Sequence, residues 1–475
     1  MNDVAKLREA ILTSRIESSN FGEEPLPGTL YIPPSHIKAL RLDAHLVVGG
    51  RGVGKSFWTA ALHSEDLRTI IGSTVPELEN AKIYTGFSSL ANTDTYPNED
   101  VFKLLLEQGN DPYDIWRAVM LRLLAPEKNI IPQDEWQETV SWFKSNPESV
   151  DKLLRSQDNL MRKGGTQSLI LFDALDRTSD DWRSMDKIVR GLLRAALWLK
   201  SYTCFHAKIF LRTDQFERTV TNFPDASKLL ATRAELSWAR YDLHGLLWQR
   251  LINAEDKHGE RLRQIYNSVV GKAPNHLEEI WFLHEEAKRE TPTQKKLFEK
   301  LAGLWMGRDP RRGVPYTWSV GHLADGHGQT SPRSFLAAIR QAASDSKERY
   351  PEHNQALHYE SIKRGVRKAS EIRVNEISED YPWVKDVLSL LKGLTVPCDY
   401  SSVLMRWEDK FPEGPGGISF DRLPPQHVER GWEGIREDLE RLGLIEKKRD
   451  GRIDMPDLYR VGFGLGRKGG VKPKE

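Results

Sequence analysis

Cysteine is nearly absent. The 475 residues include two, Cys204 and Cys398, far apart in the chain. That excludes a disulfide framework and a cysteine-rich metal site, and a reducing cytoplasm is the compartment that fits. Long apolar runs are missing too. None approaches the ~20 residues a membrane helix needs, and 29% charged residues with a mean hydropathy of −0.55 describe a soluble chain with no membrane partner. Met1 to Ser18 mixes charged and apolar positions and holds no signal core. Neither sign of charge is in excess: Lys and Arg total 69 against 68 Asp and Glu, a net charge of +1. Any contact with nucleic acid must then come from a local patch. Fixed-period repeats and metal-ligand clusters are absent, and His45 reads as structural.

What is present is organised around His45-Leu46-Val47-Val48-Gly49-Gly50-Arg51-Gly52-Val53-Gly54-Lys55-Ser56. An apolar run, a glycine-rich turn and a helix-like stretch from Phe57 to Leu62 follow one another. The spacing Gly49-x4-Gly54-Lys55-Ser56 is that of a phosphate-binding loop. Glycines let backbone N–H groups turn inward onto phosphate, and the following helix presents its positive end to the same anion. Residues Gly49, Gly50, Arg51, Gly52, Val53, Gly54, Lys55, Ser56 and Phe57 are the candidate nucleotide contacts. Lys55 is placed for the β- and γ-phosphates of ATP and Ser56 for Mg2+.

Along the chain, residues 1–24 form an N-terminal arm. Leu26-Pro27-Gly28 and Ile32-Pro33-Pro34 cannot continue a helix, so the chain runs extended there, with Tyr31 to His36 either near a nucleotide base or along the surface. Ala81 to Phe87 is a second strand, residues 88–112 look irregular, and helical spacing covers Tyr113–Leu124 and Asp134–Arg162 with a break at Asn146-Pro147. Ser168 to Phe172 reads as a buried parallel strand ending in Asp173, the acid expected on the magnesium side together with Ser56. After a helix from Asp181 to Lys200, Ala207–Leu211 is another buried strand. Thr213 and Asp214 at its end are candidates for sensing the γ-phosphate, ahead of Arg212. Ala234–Trp238 is a fifth strand and Tyr241–Ile252 a helix. Strands alternating with helices specify an α/β, parallel, doubly wound core over residues 25–255.

Residues 256–345 read as a helical lid. Within it Ser331 caps a helix with Pro332 first, and Arg333 is positioned to reach phosphate or to face solvent. Residues 346–380 are a helical connector. From 381 to 475, three helices (Trp383–Leu394, Ser401–Lys410, Gly431–Leu442) precede a hairpin turned at Asp450-Gly451, the order of a winged helix. The hairpin and the tail after it are basic, which suits a nucleic-acid backbone. The third helix is acidic at Glu433, Glu437, Asp438 and Glu440 and does not. Protein contact by this domain is the other reading.

Gly49 to Ser56 together with Phe172-Asp173-Ala174-Leu175-Asp176-Arg177 resembles the AAA+/STAND group of P-loop ATPases, and the second motif is similar to the signature of KAP-type prokaryotic relatives. The resemblance implies an ATP- and Mg2+-dependent switch that assembles as a homo-oligomer or engages an effector protein, often in bacterial antiviral defence. Its alternatives are a scaffold or sensor with marginal turnover and a winged-helix DNA-binding regulator. It further implies that Lys55, Asp173, Asp176, Thr213 and Arg333 serve catalysis. Ala174 departs from the family pattern, which has a second acid there. Asp176 is then the candidate base, or hydrolysis is slow. Arg177, Arg308, Arg311 and Arg312 are candidates to complete a neighbouring subunit's site.

Overall fold

Four apolar runs and one short edge pair make a single parallel sheet: β1 (Leu46–Gly49), β2 (Ala81–Phe87), β3 (Gln167–Phe172), β4 (Phe205–Arg212) and β5 (Ala234–Glu235). They lie in the order β2-β3-β4-β1-β5 in a computed structural model that describes residues 3–14, 25–90, 92–125, 130–277, 279–418 and 422–473. All four residues of β1 are buried, and β3 is buried from Ser168 to Phe172, as befits strands covered on both faces. The connection out of β1 runs to β2 at one edge, whereas β4 connects onward to β5 at the other. Two neighbours whose connections leave in opposite directions open a crevice at their carboxyl ends, where ligands of such sheets bind.

By internal packing the chain divides into two compact units. The first, built on Ile32–Ser237, contains the sheet. Its helices Pro112–Leu124 and Trp182–Leu199 pack on each other. Trp116 anchors that layer. It is fully buried, meets Phe87 and Phe172 edge-on at 5.9 and 5.5 Å, and donates its indole N–H to the Ile188 carbonyl at 3.0 Å. Beneath the sheet's entry, the fully buried Lys208 of β4 donates to the carbonyls of Ala39, Arg41 and Ala44 at 2.7–2.9 Å. Three ammonium protons match three acceptors, so the cation ties down the segment that feeds β1.

Residues 88–112 are not wholly irregular. Asn98 caps a helix over Glu99–Glu107 by accepting from the Val101 N–H at 2.9 Å, and Phe102 and Leu105 are its buried face. The polar residues before Asn98 dilute that face in any sequence window. The fifth strand is also shorter than its apolar run. Its last bond is from the Leu236 N–H to the Val48 carbonyl, and Trp238 belongs to the second unit.

The second unit holds the helix Asp3–Thr13, Leu26–Tyr31 and Trp238–Glu475. The remainder of the expected N-terminal arm, residues 15–24, lies outside the described residues. The helix Arg240–Ile252, expected in the sheet domain, sits in this second unit because its neighbours are the helices Asp256–Val270 and Pro292–Ala302. Asn275–Leu277 (β6) pairs antiparallel with Ile280–Phe282 (β7) inside a stretch that reads as helical. The helix Tyr359–Asp380 is more than a connector. It lies along Pro332–Arg349 so closely that a Cβ at Gly365 would stand 2.2 Å from the Ala338 carbonyl oxygen.

Further on come helices Pro382–Ser389, Tyr400–Lys410 and Gly431–Arg441, then a hairpin of β8 (Glu446–Lys447) and β9 (Ile453–Asp454). Cys398 exchanges two backbone hydrogen bonds with Ile453, at 3.0 and 2.8 Å, adding a third rung to that hairpin. The acids of Gly431–Arg441 are largely paired within the unit. Glu433 and Glu440 hold Arg436, Glu437 holds Arg430, and the fully buried Asp438 accepts from His427. Two arginines at and just before the basic tail are docked, while Lys468 and Lys472 are exposed. Arg460, completely buried, binds Asp457 and the carbonyls of Leu465 and Val471, and Arg467 pairs with Asp454 and Asp457.

Replacing Trp116 by Ala should cost roughly 3–5 kcal/mol of stability, since it removes the side chain against which β2 and β3 pack. Urea unfolding followed by circular dichroism measures this, and a loss under about 1 kcal/mol would show that the layer is held elsewhere.

Candidate functional site

The turn after β1 is built by backbone conformation. Gly52 at φ 76° and Gly54 at φ 106° occupy the left-handed region that side chains with a Cβ avoid. Gly54 caps the helix Lys55–His63 without any side-chain acceptor, so the first N–H groups of that helix open toward the loop, at the positive end of its dipole. Lys55 folds back across the turn. Its Nζ donates to the carbonyls of Gly49 and Gly50 at 2.9 and 2.7 Å, which places the ammonium in the mouth of the loop.

Opposite stands Asp173, one residue past β3. It is buried, and its N–H bonds across to Phe87 at 3.0 Å. Burial pushes this carboxyl above its ordinary value, against the pull of the nearby Ser56 hydroxyl, the Ala174 N–H and the Lys55 charge. Ala174 adopts φ 56°, an uncommon conformation for a residue with a Cβ, where a reversal of the chain begins the short turn Leu175–Arg177.

Across the sheet, Gly49 at the end of β1 is in register with Arg212 at the end of β4. The Arg212 guanidinium donates Nε–H to one oxygen of Asp214 at 3.1 Å and an Nη2 proton to the other at 3.2 Å. Nη1 reaches Asp176 at 3.5 Å. Asp173, Asp176 and Asp214 all act on Lys55 and oppose its loss of charge. Desolvation and the Arg212 charge outweigh them and bring the lysine down to about 8.

Sequence and structure therefore meet at Gly49 to Ser56, Asp173 and Asp176, which one unit brings together. Arg212, ranked below Thr213 and Asp214 as a sensor, is the side chain that joins two carboxylates here. A charged residue closing a buried strand, with an acid two positions on, was the available signal. Thr213 follows it, half-buried, at the start of the short helix Thr213–Phe216. Arg333 is elsewhere. In the second unit, behind the expected Ser331 cap and Pro332, its Nη1 donates to Glu376 at 2.7 Å. His36 is closed off from any base. Fully buried and pushed down to about 4 by desolvation, it accepts from the Trp58 indole at 3.1 Å and donates to the Ser237 carbonyl at 3.0 Å. Tyr31 is likewise enclosed, donating to Asp242.

Set against known proteins, the sequence matches no family profile and no curated protein. Among solved structures the chain is similar to the ORC2 protein of Aeropyrum pernix, solved as ADPNP–ADP complexes. Identity is 11%, coverage 94% of this chain and 93% of that one, and the TM-score 0.33. That likeness is too loose to argue from.

Ser56 and Asp173 are the oxygen donors that could hold an ion beside the loop. Among the described residues no three His, Cys, Asp or Glu side chains are grouped as metal ligands. A hydroxyl close to one carboxylate, beside a glycine-rich loop, fits Mg2+, which keeps most of its waters and takes one or two protein oxygens plus phosphate. Zn2+ would require a fuller cage of nitrogen or sulfur ligands. Among the described residues no helix is long and apolar enough to cross a membrane.

An anion bound in this loop holds Lys55 in its charged form, so binding takes up a proton once pH exceeds about 8. Affinity for Mg-nucleotide should fall as pH rises from 7 to 9, approaching tenfold per pH unit above the lysine's titration. Titration calorimetry in buffers of different ionisation heat tests this, and a flat profile would show that Lys55 does not meet the anion.

Proposed function

We propose that this chain binds and hydrolyses ATP as a molecular switch of AAA+/STAND type. The single observation that carries the reading is the approach of Ser56, in the first turn of the loop helix, to Asp173 just past β3, close enough that the Ser56 hydroxyl and the Lys55 charge both act on the Asp173 carboxyl. It joins the two motifs that the resemblance rests on, 117 positions apart by number (173 − 56). The position of β4 beside the acid strand supports it further, because ring-type ATPases carry their γ-phosphate sensor there.

In this reading the loop's N–H groups and Lys55 bind the phosphates, and Ser56 and Asp173 hold the magnesium ion. That ion, when bound, neutralises charge on the transferring phosphoryl group. Asp176 orients and deprotonates the attacking water. Arg333 exchanges its exposed pair with Glu376, which is worth little to stability, for nucleotide phosphate. The elements from Pro382 to Asp454 constitute a winged helix that hands the nucleotide state to a partner. Homo-oligomerisation, an effector protein and a place in bacterial antiviral defence rest on the family resemblance alone.

A second reading is a sensor or scaffold with marginal turnover. Two observations favour it: Ala174 supplies no acid, and Asp176 already faces Arg212. A DNA-binding regulator is less well supported. The third helix is acidic and paired within the unit, which leaves exposed Lys447 and Arg449 on the hairpin, with Lys468 and Lys472 beyond, as the cations available to a phosphate backbone.

Lys55→Ala should abolish Mg-ATP binding. Asp176→Ala should leave binding within a few-fold while slowing hydrolysis about 10²-fold, the usual worth of a general base. Phosphate release and direct binding, measured in single-turnover format, separate the two. Equal turnover by Asp176→Ala and the unsubstituted protein would remove Asp176 from the mechanism and favour the second reading.

A further inference from the structure

Arg212 is held more firmly than a cation awaiting a ligand needs to be. Its side chain is 11% exposed and that of Asp214 12% exposed, so their bidentate contact is mostly desolvated. Asp176, at 27%, adds a longer contact from the other side. The same guanidinium is close enough to Lys55 to lower its affinity for a proton, so the two cations repel one another across the mouth of the loop. Neither Lys55 nor Arg212 is neutralised by a single acid. Two cations and three carboxylates, Asp173, Asp176 and Asp214, share the space.

An anion arriving at that mouth changes the balance. A terminal phosphate carries more charge than a carboxylate and offers several oxygens in the planar spacing a guanidinium grips best. A diphosphate ends one group earlier and leaves the arginine to its aspartates. We propose that Asp214 is a positioning residue: with Asp176 it forms a carboxylate latch on Arg212, and the terminal phosphate of a nucleoside triphosphate is the anion that draws the guanidinium off it. The latch rests on the nucleotide reading above and adds to it the means by which this site tells triphosphate from diphosphate. Opening it also frees Asp176 from its cation at the moment a triphosphate is present.

The test is the ratio of Mg-ATP to Mg-ADP affinity, with Mg-ADP binding as the check that the site is intact. Asp214→Asn keeps the shape and removes the competing charge, so the ratio should rise about tenfold. Arg212→Ala should lower it by about as much, with ADP affinity within about twofold throughout. In the ATP-to-ADP ratio the double variant should behave as Arg212→Ala alone, because it is through the arginine that the aspartate separates the two nucleotides. A merely structural pair would move both nucleotides together. Should the alanine variant fail to fold, the isosteric Asp214→Asn carries the test by itself. An unchanged ratio in Asp214→Asn overturns the latch and leaves the nucleotide reading standing, whereas no Mg-ADP binding by the unsubstituted protein overturns both.

Discussion

Holding two cations beside each other is unfavourable, and at the carboxyl edge of this sheet three nearby carboxylates, with the Gly49 and Gly50 carbonyls on Lys55, offset it. Lys55 and Arg212 are set among Asp173, Asp176 and Asp214, and the five come from three short pieces of chain. The sheet exists, in functional terms, to hold those pieces in register. Gly49 faces Arg212 across β1 and β4, and Phe172 faces Ile209 across β3 and β4, so the loop, the acid and the arginine emerge on one edge. A shift of one residue in either pairing would turn each side chain to the opposite face.

The packing below that edge is correspondingly rigid. Trp116 wedges between aromatic residues of β2 and β3, and Lys208 fastens the approach to β1 through three carbonyls. Both are buried polar or amphipathic groups with their hydrogen bonds satisfied, which favours one arrangement over a family of similar ones. Strain is admitted at Ala174, next to the buried acid. That is where backbone strain tends to be tolerated for function.

Much of the site was legible because its determinants are local. Glycines at 52 and 54 followed by Lys55 and Ser56 specify the loop within eight residues or so, and an unbroken apolar run ending in Asp173 specifies a strand and its acid. What was not legible depends on distance. Arg212 closes a strand like any solvent-facing residue until the fold sets it against Asp176, 36 positions away. The helix Glu99–Glu107 depends on a single Asn98 cap, and the β6–β7 pair lies in a stretch whose spacing reads as helical. In the tail, Arg467 reads as part of a basic run, yet it meets Asp454 and Asp457, acids from the segment before it.

An electrostatic cradle that takes Mg-ATP, as proposed, makes one demand above the others. Titrating the intact protein with ATP in a calorimeter should give saturable single-site heat with Mg2+ present and little heat once the ion is chelated, because three carboxylates then face the triphosphate with two cations. Equal heat with and without Mg2+ would contradict the assignment of Ser56 and Asp173, and no heat at millimolar ATP would contradict the account as a whole.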